Sequence, residues 1–194
     1  MGHRPDLGAA GGVGLASIEL AKAYGAKVVA AVSSEEKAKV AKEAGADETV
    51  VYPRAPFDKD ASKALAGAFK DAVGPNGADI VVDIVGGDYS EPALRSIAWE
   101  GRFLVIGFPA GIAKLPLNLT LLKSCDVRGV FWGAFAAREP QRNAANIAEL
   151  FQLWQDGKIK PQVSETFSLD DAHKAIEKLE KRQAIGKLVV VTGR

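Results

Sequence analysis

The sequence predicts an α/β fold, a doubly wound parallel sheet, on three observations. Short apolar runs of strand length recur along the chain, capped amphipathic segments of helical length separate them, and a glycine-rich turn opens the first helix. The chain has 194 residues, 47% hydrophobic and 25% charged, enough to bury a core as an ordinary globular protein does.

The turn is "LGAAGGVGLASIEL", Leu7 to Leu20. Small residues permit a tight turn and the close approach of a large group to the backbone. Beyond it Val13, Ile18, Leu20, Ala21 and Tyr24 recur at helical spacing until Gly25 caps a helix of about three turns. "KVVAAV", Lys27 to Val32, is too short for a helix and reads as a strand buried on both faces. "SSEEKAKVAKEAG" supplies an N-cap serine, early acids and a closing glycine, the marks of a second helix. The alternation continues with "ETVVY", "ADIVVDIVG", "GRFLVIG", "DVRGVFWG" and "GKLVVV" as strands. The helices between them are "DKDASKALAGAFKDAVG", "YSEPALRSIAW" and "PQRNAANIAELFQLWQDG".

In such a sheet the first strand-to-helix turn receives a pyrophosphate at the helix N-terminus. The strict pattern is G-x-G-x-x-G; here the register is Ala9, Gly11 and Gly14, with Gly8 and Gly12 adding freedom. Ala10, Gly11, Gly12 and Val13 are then the backbone that phosphate approaches. A lone match is weak, and a small-residue turn would look similar, but the strand and helix that follow in register favour a dinucleotide site and a Rossmann-type sheet. The first strand is the weak element. "MGHRPDL" offers only Leu7 as an apolar residue beyond the initiator, and Pro5 lacks a ladder donor where the usual strand order needs a central strand. A truncated first strand is therefore expected.

A site that prefers NAD usually ends its second strand with an acid, about 20 residues past the glycines, to bind the ribose 2′-hydroxyl. That position is Val32. Ser33 and Ser34 follow, able to hydrogen-bond a 2′-phosphate, and then Lys37, able to neutralise it. NADPH is the cofactor this pattern predicts. The turn at "IGF" brings backbone groups of Gly107 and Phe108 to where a nicotinamide would lie. Phe131, Trp132 and Gly133, after the next strand, have two readings, a nicotinamide wall or plain core.

Other chemistry is thin. Basic and acidic residues number 25 and 24, interspersed, which argues against nucleic acid and membrane surfaces as partners. No apolar run is long enough to span a bilayer, no signal peptide is visible, and Cys125 is the only cysteine, so the expected compartment is the cytoplasm. One cysteine with His3 and His173 makes no zinc ligand set, and no metal site is expected. His173 is read on the exposed face of an amphipathic helix, Asp170 and Asp171 as its N-cap and first turn, and Asp83 as structural. No catalytic triad can be defended, and no catalytic residue is assigned.

The blocks "GAAGGVGLASIELAKAYGAKVVAAVSSEEKAKVAKEAGAD", "GADIVVDIVGGD", "GRFLVIGFPAG", "LPLNLTLLKSCDVRGVFWG" and "IGKLVVV" resemble, in this order, the medium-chain dehydrogenases/reductases, specifically the zinc-independent NADPH:quinone oxidoreductase branch. The resemblance runs from Leu7 onward. It implies hydride transfer from NADPH to a quinone or α,β-unsaturated carbonyl. It implies that Lys37 and Tyr52 contact the adenosine 2′-phosphate, against a bland reading of a solvated lysine and a strand-capping tyrosine. It also implies that Lys187 lies by the cofactor. Relatives carry a substrate-binding barrel before the glycine loop, so residues 1–157 are expected to be the NADPH-binding domain and 158–194 a C-terminal segment that completes the substrate domain. The run Asp126 to Phe135 is the last strand of the sheet by sequence order. With the resemblance, it implies a homodimer through residues 126–133. The chain is accordingly read as the cofactor-binding part of a reductase with little activity by itself. The alternative is a non-catalytic NADPH-binding or subunit-interaction module.

Overall fold

The computed structural model describes residues 3–181 and 183–193, the first five of them as backbone. Six parallel strands form the main sheet: β1 (His3–Leu7), β2 (Lys27–Val32), β3 (Glu48–Val51), β4 (Ala78–Asp83), β5 (Ile97–Val105) and β6 (Asp126–Gly129), in the order β3-β2-β1-β4-β5-β6. Helices follow the strands: α1 (Gly12–Ala23), α2 (Glu35–Glu43), α3 (Lys59–Val73), α4 (Ser90–Leu94), α5 (Asn118–Lys123), α6 (Trp132–Arg138) and α7 (Pro140–Gln155). The chain closes with β7 (Val163–Ser168), α8 (Ala172–Glu180) and β8 (Lys187–Val191), the two strands making a separate parallel pair. "GKLVVV" is thus a strand, but of this second sheet.

Strand β2 shows why the sheet is covered on both sides. Successive side chains of a strand point to opposite faces. Val29 and Ala31 enter one core with Leu65, Phe69 and Val73 of α3, while Val28, Ala30 and Val32 enter the other with Leu15, Ile18 and Ala21 of α1 and Ala38 and Ala41 of α2. Phe69 and Phe103 are fully buried, each contributing roughly 2–3 kcal/mol of apolar transfer.

The first strand, expected to be truncated, spans His3–Leu7 and holds the centre of the sheet. It pairs with β2 at every residue, Pro5 included, but with β4 only at Asp6 and Leu7. Its last residues, those leading into the glycine turn, are therefore the ones held from both sides.

Three segments depart from expectation. "YSEPALRSIAW" is not one helix: a 3-10 turn (Gly87–Tyr89) and the short α4 precede Ile97, which already belongs to β5. The pairing of β4 with β5 shifts register between Ala78 and Ile80, where Glu100 takes a left-handed φ of 57°. "DVRGVFWG" is a strand only to Gly129. Beyond it no further strand among the described residues offers a ladder, and the backbone turns into α6 at Trp132. Helix α5 and strand β7 had no reading in the sequence.

Candidate cofactor site

The carboxyl ends of β1 to β6 deliver every proposed cofactor residue except Lys187 to one edge of the sheet. The order reverses between β1 and β4, the switch point where ligands of such sheets bind. Gly11 is the N-cap of α1 and has no side chain to cap its first turn, so the positive end of the helix is left open to an anion. Tightness explains the glycines here. A Cβ on Gly14 would sit 2.5 Å from Ala9 Cα and Gly8 O, and Gly8 has φ of 81°. Ala10 is buried, whereas Gly11 and Val13 are exposed to an approaching group.

The turn is closed from the far end of the sequence. Gly186 N donates to Ala10 O at 3.0 Å, and Gly186 forms a single parallel bridge with Gly11. The next residue is Lys187, whose Nζ lies 3.4 Å from a Cβ placed on Gly12. An ammonium thus stands over the helix N-terminus, and both positive ends face the same space.

At the end of β2, Ser34 caps α2, its Oγ accepting from Lys37 N at 3.3 Å, while Lys37 Nζ donates to Ser33 Oγ at 3.3 Å. Tyr52 N donates to Val32 O at 2.9 Å, which brings Tyr52 alongside Ser33 across the strand pair. Tyr52 is only 9% exposed, its ring 4.7 Å from that of Tyr89. It is part of the core that packs under the end of β3.

The loop after β4 is organised by Asp83, a buried carboxylate. Its Oδ1 accepts from Val85 N at 3.0 Å and Gly86 N at 2.8 Å, and Ser90 Oγ donates to Oδ2 at 2.5 Å. A buried charge persists only when so satisfied. Its role is structural, as the sequence suggested. This loop presses on its neighbours: a Cβ on Gly8 would meet Val85 Cγ2 at 2.9 Å, and one on Gly86 would meet Gly111 O at 2.6 Å. The doubled glycine of "VGGD" is the sequence signal of this close packing, Gly86 and Gly87 both having positive φ.

Gly107 N donates to Asp83 O at a long 3.4 Å, and Phe108 beside it is 63% exposed. Phe131 and Trp132 are 79% and 66% exposed at the start of α6, so they are not the plain core that was one of their two readings.

No three His, Cys, Asp or Glu side chains converge as metal ligands among the described residues. Cys125 is buried, and burial pushes its thiol pKa up, away from the thiolate a metal requires. His173 is exposed on α8, and the His3 side chain lies outside the described residues. Asp171 occupies the N-cap position of α8, but its carboxylate pairs with Lys174 at 2.7 Å and does not cap the helix. No described helix is long and apolar enough to cross a membrane.

Comparison with known proteins agrees with this fold. A family model described as zinc-binding dehydrogenase matches residues 12–150. Quinone oxidoreductase-like protein 2 of Bos taurus is 36% identical over 184 residues, covering 94% of this chain and 50% of the relative. Acryloyl-coenzyme A reductase of Sulfurisphaera tokodaii is 32% identical over 185 residues, covering 94% and 48%. Among solved structures, Escherichia coli quinone oxidoreductase complexed with NADPH superposes with a TM-score of 0.80 at 30% identity, covering 98% of this chain and 57% of that one. The chain spans about half the length of the curated relatives it matches. It belongs to the zinc-binding dehydrogenase family, the medium-chain dehydrogenases/reductases, on their quinone oxidoreductase-like side.

Proposed function

We propose that this chain is the NADPH-holding part of an oxidoreductase of the quinone reductase type, one that passes hydride to a quinone or an α,β-unsaturated carbonyl. The observation that carries the reading is the Lys37 to Ser33 contact of 3.3 Å just past Val32, where an NAD-preferring site would present an acid. An ammonium and two hydroxyls suit a 2′-phosphate, and no carboxylate at the strand end repels it.

In this reading the backbone of Ala10, Gly11, Gly12 and Val13 holds the pyrophosphate with help from Lys187. Ser33, Ser34, Lys37 and Tyr52 hold the 2′-phosphate. Gly107, Phe108, Phe131 and Trp132 flank the nicotinamide. When bound, NADPH supplies the hydride. The chain supplies orientation and electrostatics, and the acceptor determines what is reduced. The relatives named quinone oxidoreductase and acryloyl-coenzyme A reductase support an electron-poor double bond or quinone as acceptor. No metal ligand is assigned, on the residue types alone. The proposal also includes an NADPH-binding domain over 1–157, a segment 158–194 serving the substrate side, a homodimer through 126–133 and a cytoplasmic setting.

A second reading, a non-catalytic NADPH-binding or subunit-interaction module, is favoured by one observation. Leu169, Ile176 and Leu179 on and before α8 are exposed apolar residues that a partner would cover.

The test is a fluorescence titration of this chain with NADPH and NADH, followed by reduction assays with quinones and enones on the chain joined to the other half of a relative. NADPH binding at least tenfold tighter than NADH is expected, about the effect of one charge-assisted contact. Equal affinities would overturn the cofactor assignment. Binding without turnover in the joined protein would favour the module.

A further inference from the structure

Tyr89 is not among the residues assigned to the cofactor, yet its ring and its hydroxyl are both committed to the segment that carries Tyr52. It is buried, at the end of the 3-10 turn that follows β4. Its ring lies 4.7 Å from Tyr52, tilted by 55°, and 5.0 Å from Phe57, nearly edge-on at 78°. Its hydroxyl donates to Pro53 O at 3.2 Å and accepts from Ala55 N at 3.0 Å. One side chain therefore grips positions 52, 53, 55 and 57 of the connection between β3 and α3.

The grip is anchored in turn. The loop before Tyr89 is fixed by Asp83 through Val85 N and Gly86 N, and Ser90 Oγ, on the residue after Tyr89, donates to the same carboxylate. Rigidity thus passes from a buried carboxylate in the sheet to Tyr89, and from Tyr89 to Tyr52. The backbone of Tyr52 is bonded to Val32 O, one residue before Ser33. Connecting segments are ordinarily the mobile part of a fold, so tethers of this kind fix the placement of a ligand-facing side chain.

We propose that Tyr89 is a positioning residue for recognition of the 2′-phosphate. It acts through Tyr52, by holding the 52–57 segment so that Tyr52 stays beside Ser33 and Lys37. This rests on the NADPH reading above. Tyr89→Phe keeps the ring stack and removes both hydroxyl bonds, and the chain would lose discrimination before it loses its fold.

The experiment is titration of the wild-type chain, Tyr89→Phe and Phe57→Leu with NADPH, NADH and 2′-AMP, with a thermal melt of each. Tyr89→Phe is expected to weaken NADPH and 2′-AMP about fivefold to tenfold, the effect of losing a buried hydrogen-bonded anchor, with NADH changed less than about twofold. Phe57→Leu, which removes only the edge contact, is expected to move the ratio the same way by less. A Tyr89→Phe chain with a lower melting temperature but an unchanged NADPH to NADH ratio overturns the positioning role. Should Tyr89→Phe not fold, the ratio in Phe57→Leu decides: a shift supports the role and an unchanged ratio overturns it. A wild-type chain that does not discriminate overturns the NADPH reading itself, a result distinct from discrimination retained in the variants.

Discussion

Lys187 Nζ stands 3.4 Å from the point that a Cβ on Gly12 would occupy, so the last strand of the chain delivers its charge to the first turn of its first helix. A Cβ there would be in ordinary contact with the ammonium, and glycine leaves the space free. On the proposed reading two lysines would serve two different parts of one ligand, Lys187 at the pyrophosphate and Lys37 at the 2′-phosphate.

The separation is measurable. Lys37→Ala should weaken NADPH about 10- to 100-fold and NADH little, since a hydrogen bond to a charged group contributes roughly 1.5–3 kcal/mol. Lys187→Ala should weaken both cofactors alike, about tenfold, because both carry the pyrophosphate. Fluorescence titration checks the pair. Equal losses of the two cofactors in Lys37→Ala would remove it from the 2′-phosphate site.

Asp47 ties α1 to the starts of β2 and β3. Its carboxylate accepts from Lys22 Nζ at 2.9 Å and from Val28 N at 2.7 Å. Burial by itself pushes its pKa up, but the Val28 hydrogen bond and the Lys22 ammonium outweigh it, and the group titrates below its ordinary value of 3.8. A carboxyl depressed on folding adds stability that is present above the unfolded value and is lost as pH falls through the folded one. Both side chains are about one third exposed, so the pair contributes about 1 kcal/mol or less. Asp47→Asn should therefore lower the urea midpoint at neutral pH, and the gap from wild type should close below about pH 4. A gap that persists undiminished at about pH 2 would assign the effect to packing.

What was legible in the sequence is what local chemistry dictates. Strand β2 reads as buried on both faces because each of its inward residues is small or β-branched, and it is covered on both faces. The glycine turn reads because Gly14 and Gly8 have no alternative. Ile97 to Trp99 was misread because their apolar spacing continues a helical pattern, and pairing with Ala78 overrides it. Phe131 and Trp132 carry strand propensity, but the ladder ends when Val130 N reaches Val105 O. The hold of Tyr89 on Tyr52 had no local signal at all, since the two come from different strand ends and meet only in the folded sheet.

The edge strand β6 sets the test of self-association. Val130 N donates inward to Val105 O, and strand residues alternate in direction, so the N–H groups of Val127 and Gly129 face away from β5. An unpaired edge of this kind seeks a partner strand. Val127→Pro should remove one outward donor and spare the bonds to β5, converting a dimer to a monomer in light scattering at micromolar concentration. A wild-type chain that is already monomeric there would end the dimer proposal.

The last expectation concerns turnover. Hydride transfer requires donor and acceptor at near-attack distance, and positioning of this kind lowers barriers by about 7–11 kcal/mol in favourable cases. The residues assigned to the nicotinamide do not enclose it: Phe108, Phe131 and Trp132 stand largely in solvent. A nicotinamide held there would face water on the side where an acceptor must sit, and none of the described residues assigned to the site is placed to orient that acceptor. The chain alone should bind NADPH yet oxidise it with quinones at close to the uncatalysed rate, while the same chain joined to the other half of a relative should turn over. Gly11→Val, which crowds the exposed N-cap of α1, should abolish binding in both. Quinone-dependent NADPH oxidation by the chain alone, well above background and lost in Gly11→Val, would mean that the exposed aromatics close over the nicotinamide when it binds, and that the open wall belongs only to the ligand-free state.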